Sequence, residues 1–414
     1  MLENILRPEI QQYIRDHENE DAKALVLNQK KILGVPSAEI AQQIAGRKKA
    51  KDKLPSWYQG EKIVYPPTLN LEQCSSEITA EYKAKILCDD MTQQIADLTG
   101  GFGVDTFCFS KLCTEVHYVE PNEDLYSIVD NNFIQLGASI KGHNQTAEDF
   151  INVLPQRHEV AEDTNSSRFS DSAVNNFDAF YIDPSRRKSN QRVFKLADCE
   201  PNIIDLQQKL FSLSSKILIK TSPLLDIQQG LSELKNVSHV YVVAIKNEVK
   251  ELLFLCEKDF NEEPIIEAVN LFENKGPEIL SFHTSDEKST DISFGDPKRY
   301  LYEPNASILK AGAFKTVCKN FALLKVHPNT HLYTSDSLIS NFPGRVFEIE
   351  AFVKPVKKDL LNYFPEGKAN ITTRNYPLSP EQLKKKTGLK DGGDKFLIGF
   401  SGEGKKFLVV GVRL

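Results

Sequence analysis

From Gln94 to Glu257 short apolar runs alternate with stretches of helical period: IADL, VHYV, a weaker run near SIKGHN, DAFYI and KILIK, then VYVVAI and ELLFLC. Strands alternating with helical patterns predict βαβ units around a parallel sheet. Only KNEVK separates the last two runs. That is too short for a crossover, so they should fold back as an antiparallel hairpin at the sheet edge. Upstream, EIQQYIRD, EDAKALVLNQKKIL and AEIAQQIAGRKKAKDK carry helical periodicity and predict a small helical cap over 1–56. The proline-bearing LPSWYQGEKIVYPPTLNLEQ reads as a connector into SSEITAEYKAKILCDDM, a helix that Ser75 or Ser76 can cap. The polar stretch over 156–175 predicts a loop before DAFYI. Residues 261–330 mix short strands with a helix, and beyond them GRVFEIEAFV, KANITTR, KFLIGF and KKFLVVGVR read as strands, with PVKKDLLNYF and SPEQLKKKTG as helices. The expected fold class is α/β, in four parts: a helical region and connector (1–85), a seven-stranded sheet domain (86–260), a small α/β linking unit (261–330) and an α+β module (331–414).

A chain of 414 residues fits this division, since it exceeds one hydrophobic core. Apolar residues at 40% and charged ones at 26% are ordinary globular values, and no apolar run is long enough to span a membrane. The first thirty residues carry early acids and no apolar stretch of signal type, so the cytoplasm is the expected compartment. The 7 cysteines are scattered without a Cys-x-x-Cys pair, which fits neither a disulfide framework nor a metal site. Net charge is -6, but residues 331–414 hold 14 Lys and Arg against 9 Asp and Glu, a balance of +5 that leaves -11 elsewhere. The asymmetry points to an anionic partner for the C-terminal part.

The first chemical constellation is IADLTGGFGVDTFCFSK, Ile95 to Lys111: a strand ending in an acid, a glycine turn, then a helix. Gly101 and Gly103 let the backbone approach a ligand at the helix N-terminus, where open α/β sheets bind nucleotides. The second strand ends in Glu120, placed to accept hydrogen bonds from ribose hydroxyls. A dinucleotide fingerprint would need a third glycine where Thr106 stands, and Asp97 would repel a pyrophosphate. A cofactor with an ammonium group and no phosphate suits Asp97 better.

This D-x-x-x-G-x-G pattern, the acid after strand two and the closing hairpin resemble the class I S-adenosylmethionine-dependent methyltransferases over residues 86–258, a Rossmann-like seven-stranded fold. DLTGGFGVDTF is similar to the first motif of a bacterial small-subunit rRNA guanine-N2 methyltransferase family. The resemblance implies S-adenosyl-L-methionine as cofactor, with Asp97, Thr99, Gly101 and Gly103 around its methionine moiety and Glu120 on the ribose. It also implies the acidic pair Glu148-Asp149 near the adenine amino group, and Gln73, Ser75 and Ser76 in a covering segment, where plain helix capping is the alternative.

FDAFYIDPSRR places Asp183-Pro184 at the end of the fourth strand, where amino-methylating members of this superfamily carry Asp/Asn-Pro-Pro and an aromatic residue. There the carboxylate orients the acceptor nitrogen, so Asp183 with Pro184 is the catalytic candidate. Ser185 and Arg186 stand where the second proline and the aromatic would be, which removes base stacking by that side chain. Arg186, Arg187, Lys188 and Arg192 make a basic edge able to hold phosphates.

YLYEPNASILKAGAF and the segment from Gly344 to Phe400 resemble the THUMP-like domain of an uncharacterised bacterial methyltransferase family. THUMP domains are linked to RNA, so the resemblance implies a tRNA or rRNA partner contacted by Lys354, Lys357, Lys358, Arg374 and Lys384 to Lys386. The expectation is methylation of a base nitrogen in structured RNA, without membrane or metal. A methyltransferase of proteins or small molecules, and a non-catalytic RNA-binding protein, remain alternatives.

Overall fold

The computed structural model describes residues 2–155, 177–186 and 195–414. They divide into two compact units, Met1–Ser238 with Leu252–Glu262, and His239–Glu251 with Glu263–Leu414.

The first unit opens with helices α1 (Pro8–Asp16) and α2 (Ser37–Lys53). The connector after them is tied down at several points. Gln43 Nε2 donates to the Tyr65 carbonyl at 2.8 Å, and the Asn132 carboxamide bonds both the N–H and the C=O of Val64, at 2.9 and 2.8 Å. Trp57 is fully buried, with ring centroids 4.6 Å from Phe102 and 5.9 Å from Phe107. Truncating an aromatic so placed costs about 3–5 kcal/mol, so this residue of the connector anchors the cap to the cofactor-side turn.

Helix α3 (Glu77–Leu87) leads into β1 (Gln94–Asp97), α4 (Val104–Ser110), β2 (Glu115–Val119), α5 (Glu123–Gln135), β3 (Lys141–His143), α6 (Ala147–Asn152), β4 (Ala179–Ile182), α7 (Ile203–Leu213), β5 (Lys216–Thr221) and α8 (Ile227–Glu233). Strands β1 to β5 are parallel, in the order β3-β2-β1-β4-β5. The order reverses between β1 and β4, and ligands of open α/β sheets bind outside the strand ends at such a reversal. All of β4 is buried, as expected for a strand covered on both faces. The strands β6 (Val237–Ile245) and β7 (Glu248–Glu257) follow, joined by Lys246-Asn247, both left-handed with φ 48 and 69°. Two such residues make the tight turn that matches strand twist, so the predicted hairpin forms. Within the first unit, Leu252–Glu257 of β7 pairs antiparallel with β5.

One expectation is corrected: the hairpin does not leave β6 as an edge. In the second unit, β8 (Ile265–Leu271) pairs with it in parallel and β9 (Glu278–His283) continues antiparallel beyond. A strand as apolar as VYVVAI would template aggregation if its edge were bare, and residues assigned to the linking unit cover it.

The rest of the second unit is a seven-stranded sheet made of β10 (Tyr300–Pro304), β11 (Leu324–His327), β12 (Thr330–Ser335), β13 (Gly344–Phe352), β14 (Asn370–Arg374), β15 (Lys395–Ser401) and β16 (Lys406–Arg413), in the order β11-β12-β10-β13-β16-β15-β14. It runs across residue 330, so the linking unit and the module, expected apart, share one sheet. The core explains this: Leu301 and Val326 pack with Leu332, Phe347, Ile398 and Val409 in one cluster. Among the described residues no helix is long and apolar enough to cross a membrane.

Candidate functional site

At the C-terminal end of β1, Asp97 is buried and organises the turn that follows. Its Oδ1 accepts the Thr99 N–H at 3.1 Å and its Oδ2 the Thr106 hydroxyl at 2.6 Å. Burial pushes its carboxyl up to about 7; the Thr106 bond opposes that, while the nearby charges of Asp105 and Asp183 add to it. The position where a dinucleotide fingerprint wants glycine thus holds a threonine that clamps the acid.

The glycines take the conformations that the turn requires. Gly103 has φ 75°, and a Cβ there would lie 2.6 Å from Phe133 and 2.7 Å from Val129, so a larger residue is both strained and crowded. Gly101 has φ 52°, and a Cβ there would meet only the Thr99 carbonyl, at 3.8 Å; its open side is the place for a ligand.

Glu120 is buried at the end of β2. It accepts the Asn122 N–H through Oε1 at 2.8 Å and the Gly101 N–H through Oε2 at 3.0 Å. Burial raises its pKa against the pull of these two bonds. A carboxylate has about four lone-pair sites. With two used by backbone, the others fit a pair of vicinal hydroxyls.

Asp183 follows β4. Its N–H donates to Thr99 Oγ1 at 2.6 Å, and its Oδ2 takes the Lys220 ammonium at 2.5 Å. The first bond locks the acceptor-side loop to the glycine turn. The second follows from strand register, since Ile182 lies opposite Ile219 and the next residues are Asp183 and Lys220.

Behind the turn lies a buried network. Lys83 donates to Ser75 Oγ at 2.9 Å and pairs with Asp105 at 3.1 Å, while Ser75 and Tyr181 hydroxyls donate to Asp105 Oδ2 at 2.7 and 3.0 Å. Burial alone would raise the Asp105 carboxyl, but the Lys83 and Lys220 charges hold it below its ordinary value. Ser75 therefore serves this network, and Ser76, expected as a possible contact, sits at the N-cap of α3 with its hydroxyl 3.2 Å from Thr79.

The structure thus brings Asp97, Thr99, Gly101, Gly103, Glu120, Asp183 and Pro184 to one end of the sheet. Asp149 is exposed in the first turn of α6 and accepts the Thr146 hydroxyl at 2.8 Å, the geometry of a helix cap. Arg187, Lys188, Arg192 and the 156–175 segment lie outside the described residues; so does the side chain of Arg186, whose backbone pairs with Cys199. In the second unit, Arg374 is not a free phosphate contact. It and Arg345 clamp the buried Glu303. Lys384 pairs with Asp391 at 2.7 Å, whereas Lys357, Lys358, Lys385 and Lys386 are exposed. Sequence reasoning missed Lys220, Lys83 and Asp105, and took Thr106 only as the absence of a glycine. A lysine closing the apolar strand KILIK and another inside AEYKAKIL were the available signals.

The site fits S-adenosylmethionine. An open glycine turn, a buried carboxylate with acceptor sites to spare and a second buried acid suit a phosphate-free cationic cofactor. Comparison with known proteins agrees. Residues 300–343 match a family described as a ferredoxin-like domain, and 344–413 one described as THUMP domain-like. Two curated relatives from Mycobacterium tuberculosis strains, each named an uncharacterized S-adenosylmethionine-dependent methyltransferase, are 21% identical over 210 residues, 50% of this chain and 56% of theirs. The chain thus spans about half the length of the curated relatives it matches. Over its whole length it is similar to a candidate methyltransferase from Porphyromonas gingivalis W83, whose crystal structure has a TM-score of 0.82 at 31% identity and covers 99% of this chain and 98% of that one. Fold and site define a class I S-adenosylmethionine-dependent methyltransferase. The chain belongs to the family of the Porphyromonas protein, methyltransferases with a C-terminal THUMP-like domain.

Proposed function

We propose that this protein is a cytoplasmic enzyme that methylates a base nitrogen in structured RNA, tRNA or rRNA. The observation that carries the reading is the hydrogen bond of 2.6 Å from the Asp183 backbone N–H to the Thr99 hydroxyl, which ties the main chain at Asp183 to the turn that would hold the methyl donor. Gly101 and Gly103 would seat the methionine moiety, Glu120 the ribose, and Asp97 would supply negative charge behind the turn. The cofactor brings an already activated methyl group, so the chain's task is orientation. Asp183 accepts the proton-bearing side of the nitrogen and aims its lone pair along the transfer line, and positioning of this kind supplies much of the acceleration. RNA as substrate is supported by the THUMP-like match and by the exposed Lys357, Lys358, Lys385 and Lys386 on that domain. Transfer of labelled methyl to total RNA, and separately to protein, from a strain lacking the gene tests the reading: label in one RNA size class is expected, and label confined to protein overturns it.

A further inference from the structure

Resting on that reading, we propose that Lys220 is a positioning residue that makes Asp183 specific for a ring nitrogen whose N–H stands beside a carbonyl, guanine N1 or uracil N3, and not for an exocyclic amine. The Lys220 side chain is 12% exposed and that of Asp183 35%. The ammonium fixes Oδ2 at 2.5 Å and the Thr99 hydroxyl accepts the backbone N–H, so the residue is held once through its side chain and once through its main chain. Oδ1 accepts no hydrogen bond among the described residues and is the oxygen left for substrate.

An exocyclic amine in the transfer position asks for two acceptors, one for each of its hydrogens. Here one acceptor stands next to a fixed positive charge. A lactam edge complements that arrangement: its N–H meets Oδ1 and its carbonyl oxygen lies toward the cation. The replacement of the second proline and the aromatic by Ser185 and Arg186 marks the same departure from amine-methylating sites.

The step balances. The ring N–H proton passes to Asp183, the nitrogen lone pair forms the new N–C bond, and the methyl–sulfur bonding pair stays on sulfur, which leaves as a neutral thioether. Negative charge that grows on the carbonyl oxygen as the proton leaves is met by the Lys220 ammonium, a charge already in place and needing no reorganisation. Other charges bear on the pair. Asp183 acts on Asp97, while Lys220 acts on Asp105, Lys53 and Cys74.

The test uses the full chain, RNA from the deletion strain and three proteins: wild type, Lys220→Met and Lys220→Arg. Binding of S-adenosylhomocysteine, within about threefold of wild type, verifies the folded cofactor site. The expected result is that wild type yields a base methylated at guanine N1 or uracil N3. Lys220→Met should turn over about 100-fold more slowly at pH 7, the scale of one fixed donor lost from a developing oxyanion. Lys220→Arg, which keeps the charge, should recover part of that rate. Wild-type product on an exocyclic amine, or a Lys220→Met enzyme with unchanged rate, overturns this inference while leaving RNA methylation standing. Absence of label from RNA with wild type overturns both.

Discussion

The two ends of this chain handle charge in opposite ways. Around the glycine turn, Asp97, Glu120, Asp105 and Lys83 are buried, and each is held by named partners at 2.6 to 3.1 Å. On the C-terminal sheet Glu303 is buried between two arginines, while Lys357, Lys358, Lys385 and Lys386 stand in solvent. Buried charge is expensive unless paired, so it persists where geometry must be exact to a fraction of an ångström, as in a transfer site. Exposed charge is screened and mobile, and it suits a surface that meets a polyanion by number of contacts. The difference predicts that single substitutions break the first region and only multiple ones the second.

The largest effect is expected from Asp183→Ala, which should lower methyl transfer about 1000-fold or more while S-adenosylhomocysteine affinity stays within about threefold, as calorimetry would read. Equal loss of binding would make Asp183 structural and collapse its distinction from the turn. Gly101→Val should weaken cofactor binding about 100-fold, since a β-branched residue at φ 52° is strained and fills the open side of the turn; unchanged binding would move the cofactor elsewhere.

A smaller effect concerns pH. With its carboxyl at about 7, Asp97 is mostly protonated at pH 6 and ionised at pH 8, and a positively charged cofactor favours the ionised form. Affinity for S-adenosylhomocysteine, whose ammonium is retained, should therefore rise about tenfold between those values, and Asp97→Asn should flatten the curve. The mildest change is expected in the other region. Converting Lys357, Lys358, Lys385 and Lys386 to Glu should weaken RNA binding about tenfold or more at moderate salt and make its salt dependence shallower, with cofactor binding untouched. A single conversion should be hard to detect.

Much of the site was legible because it is local. Asp97, Gly101 and Gly103 lie within one strand-turn-helix, where the left-handed positions demand glycine, and Glu120 ends the next strand. The Glu303 partner of Arg374 was not legible because it is 71 residues away: composition shows a cation, but only the sheet pairs β10 with β13 and sets Glu303 within reach of Arg345 and Arg374. Ser75 was read as a possible cofactor contact for the same reason, as its partner Asp105 is 30 residues on.

The sequence alone determined the alternation of strands and helices, the hairpin across KNEVK, the glycine turn and the acids at the ends of β1, β2 and β4, because periodicity and backbone conformation are properties of neighbouring residues. Only the tertiary structure decided that β8 and β9 continue from β6, that one sheet runs across residue 330, and that Lys220 meets Asp183. Those facts depend on register between strands, and a shift of one residue would turn Lys220 to the opposite face of the sheet and away from the carboxylate.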